Sequence, residues 1–199
     1  TGIVEPFENG PGFTLRVGLA LCRSLGLFCL QQGAAHVERP SLKWPNDVLM
    51  GGKKISGILC ESAAEGLLVG VGLNVNQRSF SPSLAQRATS LALSLGVRED
   101  IDRWRLLELL LGQLRIVLEE GEWREEAESF LWRRGESVRF LVGLPEREEI
   151  VEGILEGIAP SGALLLHPEG KSRAEEFLSG ELLPPELPRV DRNGAFHIR

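Results

Sequence analysis

An α+β fold is what this sequence predicts, and three observations lead there. A helical apolar spacing opens the chain, glycine-punctuated strand segments fill residues 41–75, and after Gly135 the apolar period shifts to two. In the first region, Phe13, Val17, Ala20, Leu21, Cys22, Leu25 and Phe28 recur at helical spacing and predict a helix over about 11–32, with Pro11 suited to its first turn. Gly18 and Gly26 weaken that helix slightly. Ahead of it, Gly2-Ile3-Val4-Glu5-Pro6 reads as a strand fragment. Ser41–Trp44, Val48–Met50, Lys54–Glu61 and Leu67–Val75 read as strands, separated by turn chemistry at Pro45-Asn46-Asp47 and a hairpin signal at Gly51-Gly52. Neighbouring strands with such tight turns form an antiparallel sheet rather than a βαβ unit.

Residues 90–95 predict a short helix. Leu106, Leu107, Leu110, Leu111, Leu114 and Leu118 predict a longer amphipathic one, capped by Asp102 and turning its leucine stripe to the core. Trp123, Ala127, Phe130 and Leu131 mark a third. Beyond Gly135, segments near 138–142, 150–158, 163–167 and 175–182 predict four or five short strands, enough for a small closed barrel or sandwich. The expected division is a larger domain over 1–135, a small β domain over 136–184 and an extended or disordered tail over 185–199, rich in proline and polar residues.

Composition excludes several classes. The 199 residues are 43% hydrophobic and 25% charged, as in globular chains, and the net charge of -6 argues against nonspecific nucleic-acid binding. No apolar run approaches the ~20 residues of a bilayer span, and residues 1–12 lack the pattern of a signal peptide. Cys22, Cys29 and Cys60 show no metal or disulfide spacing and fit small apolar residues in a reducing cytoplasm. His36, His167 and His197 form no local cluster.

The chemistry concentrates in three stretches: Lys43-Trp44-Pro45-Asn46-Asp47-Val48, Lys53-Lys54-Ile55-Ser56-Gly57-Ile58-Leu59-Cys60-Glu61 and Gly70-Val71-Gly72-Leu73-Asn74-Val75-Asn76. Taken alone, each residue has a plain reading beside a functional one. Lys43 and Lys54 are either solvated charges or cations for an anionic ligand, and the adjacent Lys53 reads as a solvated hairpin lysine. Asn46 and Asp47 could hold magnesium, orient Lys43 or Lys54, or form an Asx turn. Trp44 is core more readily than a nucleotide stacker. Gly57 lets backbone approach a flat ligand. Ile58 and Leu59 alternate faces, so one could line a pocket and the other the core. Gly70 and Gly72 match no dinucleotide fingerprint. Asn74 carries both amide donor and acceptor for a purine edge or phosphate, or it ends a strand in a turn.

Together, in this order and spacing, the three stretches resemble the biotin protein ligase family. The likeness runs over nearly the whole chain, including Gly180-Glu181-Leu182 near its end. The resemblance implies a class II synthetase-like mixed sheet with helices, followed by a small SH3-like β-barrel. It implies an enzyme that forms biotinyl-AMP from biotin and ATP, with Mg2+ accompanying ATP, and transfers biotin to a lysine of a biotin carboxyl carrier protein. Joining two anions calls for cations that offset the charge gathering at phosphorus. The family's lysine three residues before glycine contacts biotin and the α-phosphate; Lys54 stands at that position before Gly57. The resemblance thus implies catalytic roles for Lys54, Lys43 and Asp47, and biotin contacts from Lys54, Gly57, Ile58 and Leu59. It implies nucleotide contacts from Asn74, Gly72, Lys43 and Asn46, and no metal site of protein ligands alone. The family's Asp-Ser-Thr-Asn-like motif and Gly-Arg-Gly-Arg-rich loop are not found in this sequence, so the catalytic domain is expected to lack its N-terminal part here. Alternatives are a lipoate ligase or octanoyltransferase-like enzyme, or a catalytically incomplete relative with a binding or regulatory role. A homodimer is left open; neither membrane nor nucleic acid is expected as a partner of this segment.

Overall fold

The structure, a computed structural model, describes residues 2–4, 12–34, 36–63, 66–144 and 146–185, with backbone alone for 2–4 and 63. Its elements run β1 (Gly2–Val4), α1 (Phe13–Gln31), β2 (Ser41–Lys43), β3 (Asp47–Met50), β4 (Lys53–Ala63), β5 (Gly66–Leu73), α2 (Leu91–Leu95), α3 (Arg103–Glu119) and α4 (Trp123–Phe130). Then follow β6 (Ser137–Val142), β7 (Glu149–Ile158), β8 (Leu164–Pro168), β9 (Glu175–Phe177) and β10 (Glu181–Leu182). Pro11, offered for the first turn of α1, and the tail from 186 lie outside the described residues.

The first sheet has the order β1-β5-β4-β3-β2, and each pairing between its strands is antiparallel. This corrects the expectation of a mixed sheet for the described residues. Gly51 and Gly52, with φ of 58° and 69°, make the two-residue hairpin between β3 and β4, a turn open mainly to glycine and asparagine.

Helix α1 lies between this sheet and α3, with α4 alongside. Being covered on two sides explains why it is apolar almost all round. It is also long and apolar enough, by length and composition, to cross a bilayer, which corrects the expectation that no segment approaches that size. Arg16 and Arg23 break the uninterrupted apolar run without making the helix polar. Gly18 is a packing contact rather than a weakness: a Cβ there would fall 2.5 Å from Leu42 Cδ2. The helix axis therefore sits close against β2.

Asp102 caps α3, accepting from the Trp104 amide at 2.8 Å, and Ser90 caps α2 in the same way through the Leu93 amide at 3.1 Å. The leucine stripe of α3 is only half core. Leu106 is buried and Leu110 and Leu114 pack against the core, but Leu107 and Leu111 are 41% and 57% exposed. Six leucines span more of the helix circumference than one packing face can cover.

The second sheet has the order β10-β6-β7-β8-β9, again antiparallel. One hydrophobic core runs through both sheets, from Leu42, Trp44 and Ile58 to Phe140, Leu155 and Leu166. Trp44 is the join. Its ring meets Phe140 edge-on at 5.7 Å, and its Nε1–H donates to the Gly162 carbonyl at 3.1 Å. The Trp44-Pro45 peptide is cis. Glu128 makes a second join: it accepts from the Ile158 amide at 3.0 Å and pairs with Arg134 at 2.8 Å, in space that a side chain at Gly157 would fill. Trp44→Phe keeps the ring contact but strands the Gly162 carbonyl. It should cost about 1–2 kcal/mol in a denaturant titration; no loss would mean the bond does not hold the two sheets together.

Candidate ligand-binding cleft

Register explains the cleft. Asp47 on β3 stands opposite Gly57 on β4, Gly57 opposite Gly72 on β5, and Leu59 opposite Gly70. Residues directly opposed across antiparallel strands share a face, as do residues two apart on one strand. Asp47, Gly57, Leu59, Gly70 and Gly72 therefore lie on one face, and Ile58, Cys60 and Val71 on the other. Burial agrees: Ile58 is buried and reaches towards α1, while Leu59 is 59% exposed. This settles the pair left open by the sequence, with Leu59 facing the cleft and Ile58 the core.

The result is a shallow lane of about 430 Å³ bordered by Asn46, Asp47, Lys54, Gly57, Leu59, Gly70 and Gly72, with Ile58 and Val71 contributing along the strands. Its floor is paved with glycine. None of the three has a positive φ, so ordinary backbone would admit any residue. A Cβ at Gly70 or Gly72 would meet nothing closer than 3.8 Å. Folding therefore does not demand glycine at either position. What the missing side chains provide is a flat open floor.

Lys54 closes one end. Its Nζ lies 2.6 Å from Asp47 Oδ1, a buried oxygen with no other hydrogen-bond partner. The lysine side chain is half exposed and Asp47 only 17% so. A Cβ at Gly57 would come within 3.2 Å of Lys54 Cε and Nζ, so the ammonium rests over that glycine. In a regular strand, residues 54 and 57 would point to opposite faces. Here one step on β3, from Val48 to Leu49, matches two on β4, from Ser56 to Lys54. Ile55 is the extra residue of a bulge, and the bulge turns Lys54 to the cleft side.

A second cavity of about 410 Å³ adjoins at the same ion pair, lined among others by Lys43, Asp47, Lys54, Arg87, Trp132 and Glu181. Lys43 pairs with Glu181 of β10 at 3.2 Å. Asp47 and Lys54 thus stand between two compartments, one floored by glycine and one lined by further cations.

Asn46 and Asn74 have structural work. Asn46 clasps the hairpin: its Nδ2–H donates to the Ile58 carbonyl at 3.1 Å, and its own carbonyl accepts from the Ile58 amide at 2.9 Å. Asn74 borders neither cavity. Its Nδ2–H donates to the Thr89 carbonyl at 3.1 Å, and its Oδ1 accepts from Gln77 at 3.4 Å. Its backbone N–H donates to the Ile55 carbonyl at 2.9 Å, so it braces the bulge that aims Lys54. Asn74→Ala is expected to cost about 1–2 kcal/mol of stability. Unchanged stability with weakened nucleotide binding would instead make it a ligand contact.

Sequence reasoning did not single out Arg87 and Trp132. The 84–88 turn reaches the cleft because Lys54 N–H donates to the Arg87 carbonyl at 2.8 Å and Thr89 N–H to the Lys54 carbonyl at 2.9 Å. Trp132 is brought in as its amide donates to the Leu42 carbonyl at 2.7 Å. Both depend on long-range pairing that no local pattern announces.

Residues 6–77 match the Biotin/lipoate A/B protein ligase family. A biotin--[acetyl-CoA-carboxylase] ligase of Paracoccus denitrificans is 32% identical over 184 residues, covering 81% of this chain and 70% of that protein. The Mycobacterium tuberculosis protein of the same name is 40% identical, with 84% and 60% covered. The bifunctional ligase/repressor BirA of Bacillus spizizenii is 36% identical over 113 residues, and this chain spans 32% of its length. Among solved structures, the biotin protein ligase of Aquifex aeolicus in complex with biotin and ATP superposes with a TM-score of 0.74 at 32% identity, over 91% of this chain and 75% of that one. Extended likeness in both sequence and fold, over most of this chain, places it in the biotin protein ligase family.

Proposed function

We propose that the chain carries the biotin- and nucleotide-holding face of a biotin protein ligase, which forms biotinyl-AMP from biotin and ATP and passes biotin to a lysine of a biotin carboxyl carrier protein. One observation carries this reading: a lane whose floor glycines at 70 and 72 the fold does not require, ending at the half-exposed Lys54 ammonium. The flat ring system of biotin would lie along Gly57, Gly70 and Gly72 beside Leu59, with its carboxylate directed at Lys54. The α-phosphate would enter from the Lys43 side. A carboxylate oxygen attacks the α-phosphorus and the bond to the pyrophosphate oxygen breaks. Lys54 leaves Asp47 to follow the charge gathering on the phosphoryl oxygens, and Asp47 holds the ammonium in position beforehand. In the second step the carrier lysine, as free amine, attacks the acyl carbon and AMP departs.

A magnesium ion arriving with ATP would neutralise phosphate charge. Among the described residues no cluster of three or more His, Cys, Asp or Glu could hold a metal alone, and Asp47 is the one carboxylate bordering the lane. Such an ion would rest mainly on phosphate oxygens and water. The same reading takes residues 1–135 as a class II synthetase-like catalytic domain and 136–184 as a small SH3-like barrel. Five short antiparallel strands support it, as does Gly135, whose φ of 82° suits a linker turn. A reducing cytoplasm is the proposed setting, supported by three free cysteines. Acyl transfer through a cysteine, as the octanoyltransferase alternative requires, is disfavoured because Cys60 lies on the strand face opposite the lane.

The test is to incubate the full product of the gene with α-labelled ATP and either biotin or lipoate. Biotin-dependent adenylate and pyrophosphate are expected. Adenylate from lipoate instead, or from neither acid, would overturn the assignment.

A further inference from the structure

Away from the cleft, on the side of α1 that faces α3 and the 37–40 stretch, lies a cavity of about 600 Å³. Its floor is apolar: Cys22, Gly26, Leu27, Cys29, Ala34 and Val37. Four polar side chains stand at its walls, Arg23, Glu38, Arg39 and Gln113. The Gln113 side chain of α3 makes no hydrogen bond within the described residues. The Arg39 guanidinium stacks on Phe130 at 3.7 Å from the ring centroid and donates to Ser129 Oγ at 3.3 Å, but makes no ion pair among the described residues. Glu126 and Glu120 are held by Arg23, whose hydrogen bond lowers the Glu126 carboxyl pKa, and Arg39 also lowers it through its charge. Glu38 borders the cavity too, with a carboxylate oxygen 3.9 Å from where a Gly51 Cβ would stand, on the β3–β4 turn side.

Among the described residues, a Cβ at Gly26 would meet no atom within 4 Å. Leu27 and Leu30 stay exposed beside it. An apolar hollow with few, converging polar groups is the usual form of a small-molecule site. The Arg39 guanidinium, without a carboxylate in direct ion-pair contact among the described residues, favours an anion, and planar, two-pronged donation suits a carboxylate. The α1 surface from Cys22 to Leu30 is about 12 Å long at ~1.5 Å per residue, which matches an extended medium-length hydrocarbon chain.

We infer that this cavity is a second ligand site, separate from the cleft, that binds a medium-chain aliphatic carboxylate with its head on Arg39 and Gln113 and its chain along Gly26. The inference is independent of the proposed ligase reaction, because no residue of the cleft contributes to it.

Decanoate and decanol are the probes, titrated into the full product of the gene by calorimetry below micellar concentration. Saturable one-to-one decanoate binding that biotin does not displace is expected. Gly26→Leu should remove it, and because leucine favours the helix and has room there, the variant should melt no lower than the wild type. Arg39→Gln should weaken decanoate by roughly tenfold or more, as loss of a charge-assisted bond implies, and leave decanol binding unchanged. Any of three results would overturn the inference: no decanoate binding, equal binding to folded Gly26→Leu, or displacement by biotin. Equal weakening of decanoate and decanol by Arg39→Gln would overturn the carboxylate assignment.

Discussion

Lys54→Ala is expected to lower biotinyl-AMP formation by about 10²-fold or more, the usual scale when a group that stabilises transition-state charge is removed. The neighbouring change, Lys53→Ala, should leave the rate nearly unaltered. Register makes the difference. Lys54 is turned to the cleft by the Ile55 bulge, with its ammonium on Asp47 Oδ1 beside the open space above Gly57. Lys53 is exposed and donates to the Ala85 carbonyl at 3.2 Å, at the edge of the hairpin. Half-exposed pairs contribute little to stability, so the rate loss should persist well below the melting temperature. Asp47→Asn should give a smaller loss, since it frees the ammonium without removing it. Equal and small effects at positions 53 and 54 would show that neither lysine serves the phosphoryl transfer.

Gly72→Val should weaken biotin binding by about 10²-fold while leaving the melting temperature unchanged or slightly higher. Valine suits an extended strand, and the nearest atom to a Cβ at this position is the Gly57 carbonyl oxygen at 3.8 Å. Its methyl groups would rise from the lane floor into the space assigned to the ring. Loss of a flat contact together with a steric clash accounts for an effect of that size, since each tenfold in affinity is only about 1.4 kcal/mol. Gly153→Val would be an instructive contrast: a Cβ there would fall 2.3 Å from the His167 carbonyl oxygen, so that glycine is a requirement of the fold. If Gly72→Val binds biotin normally, the lane is not the ring site.

Much of this was legible in the sequence because it depends on local chemistry. The helical spacing of 13–28, the Gly51-Gly52 turn, the Asp102 cap and the period of two after Gly135 each report on residues close in sequence. Lys54, Gly57 and Gly72 came forward through the resemblance of three ordered motifs to a family, since local chemistry alone left each a plain reading. Other features depend on partners far along the chain. The Ile55 bulge follows from how β3 and β5 pair with β4, and without it the spacing from Lys54 to Gly57 contradicts a shared face. Arg87, Trp132 and the bond from Trp44 to Gly162 arise from contacts across 30 to 120 residues of sequence. Asn74 carries two readings for a physical reason: an amide that can bind a purine edge can equally satisfy a backbone carbonyl and a glutamine. The apparent membrane length of α1 and the half-exposed stripe of α3 share one cause, since apolar composition does not say how many sides of a helix will be covered.

The account turns on what lies above Gly57, Gly70 and Gly72 when ligand is bound. A crystal structure of the full gene product with biotin and ATP tests this directly. The predicted result is density for the biotin ring along those three glycines beside Leu59, with Lys54 Nζ withdrawn from Asp47 to an oxygen of the joined carboxyl–phosphate group. Density for biotin elsewhere, or Lys54 still locked to Asp47 beside a bound adenylate, would contradict it.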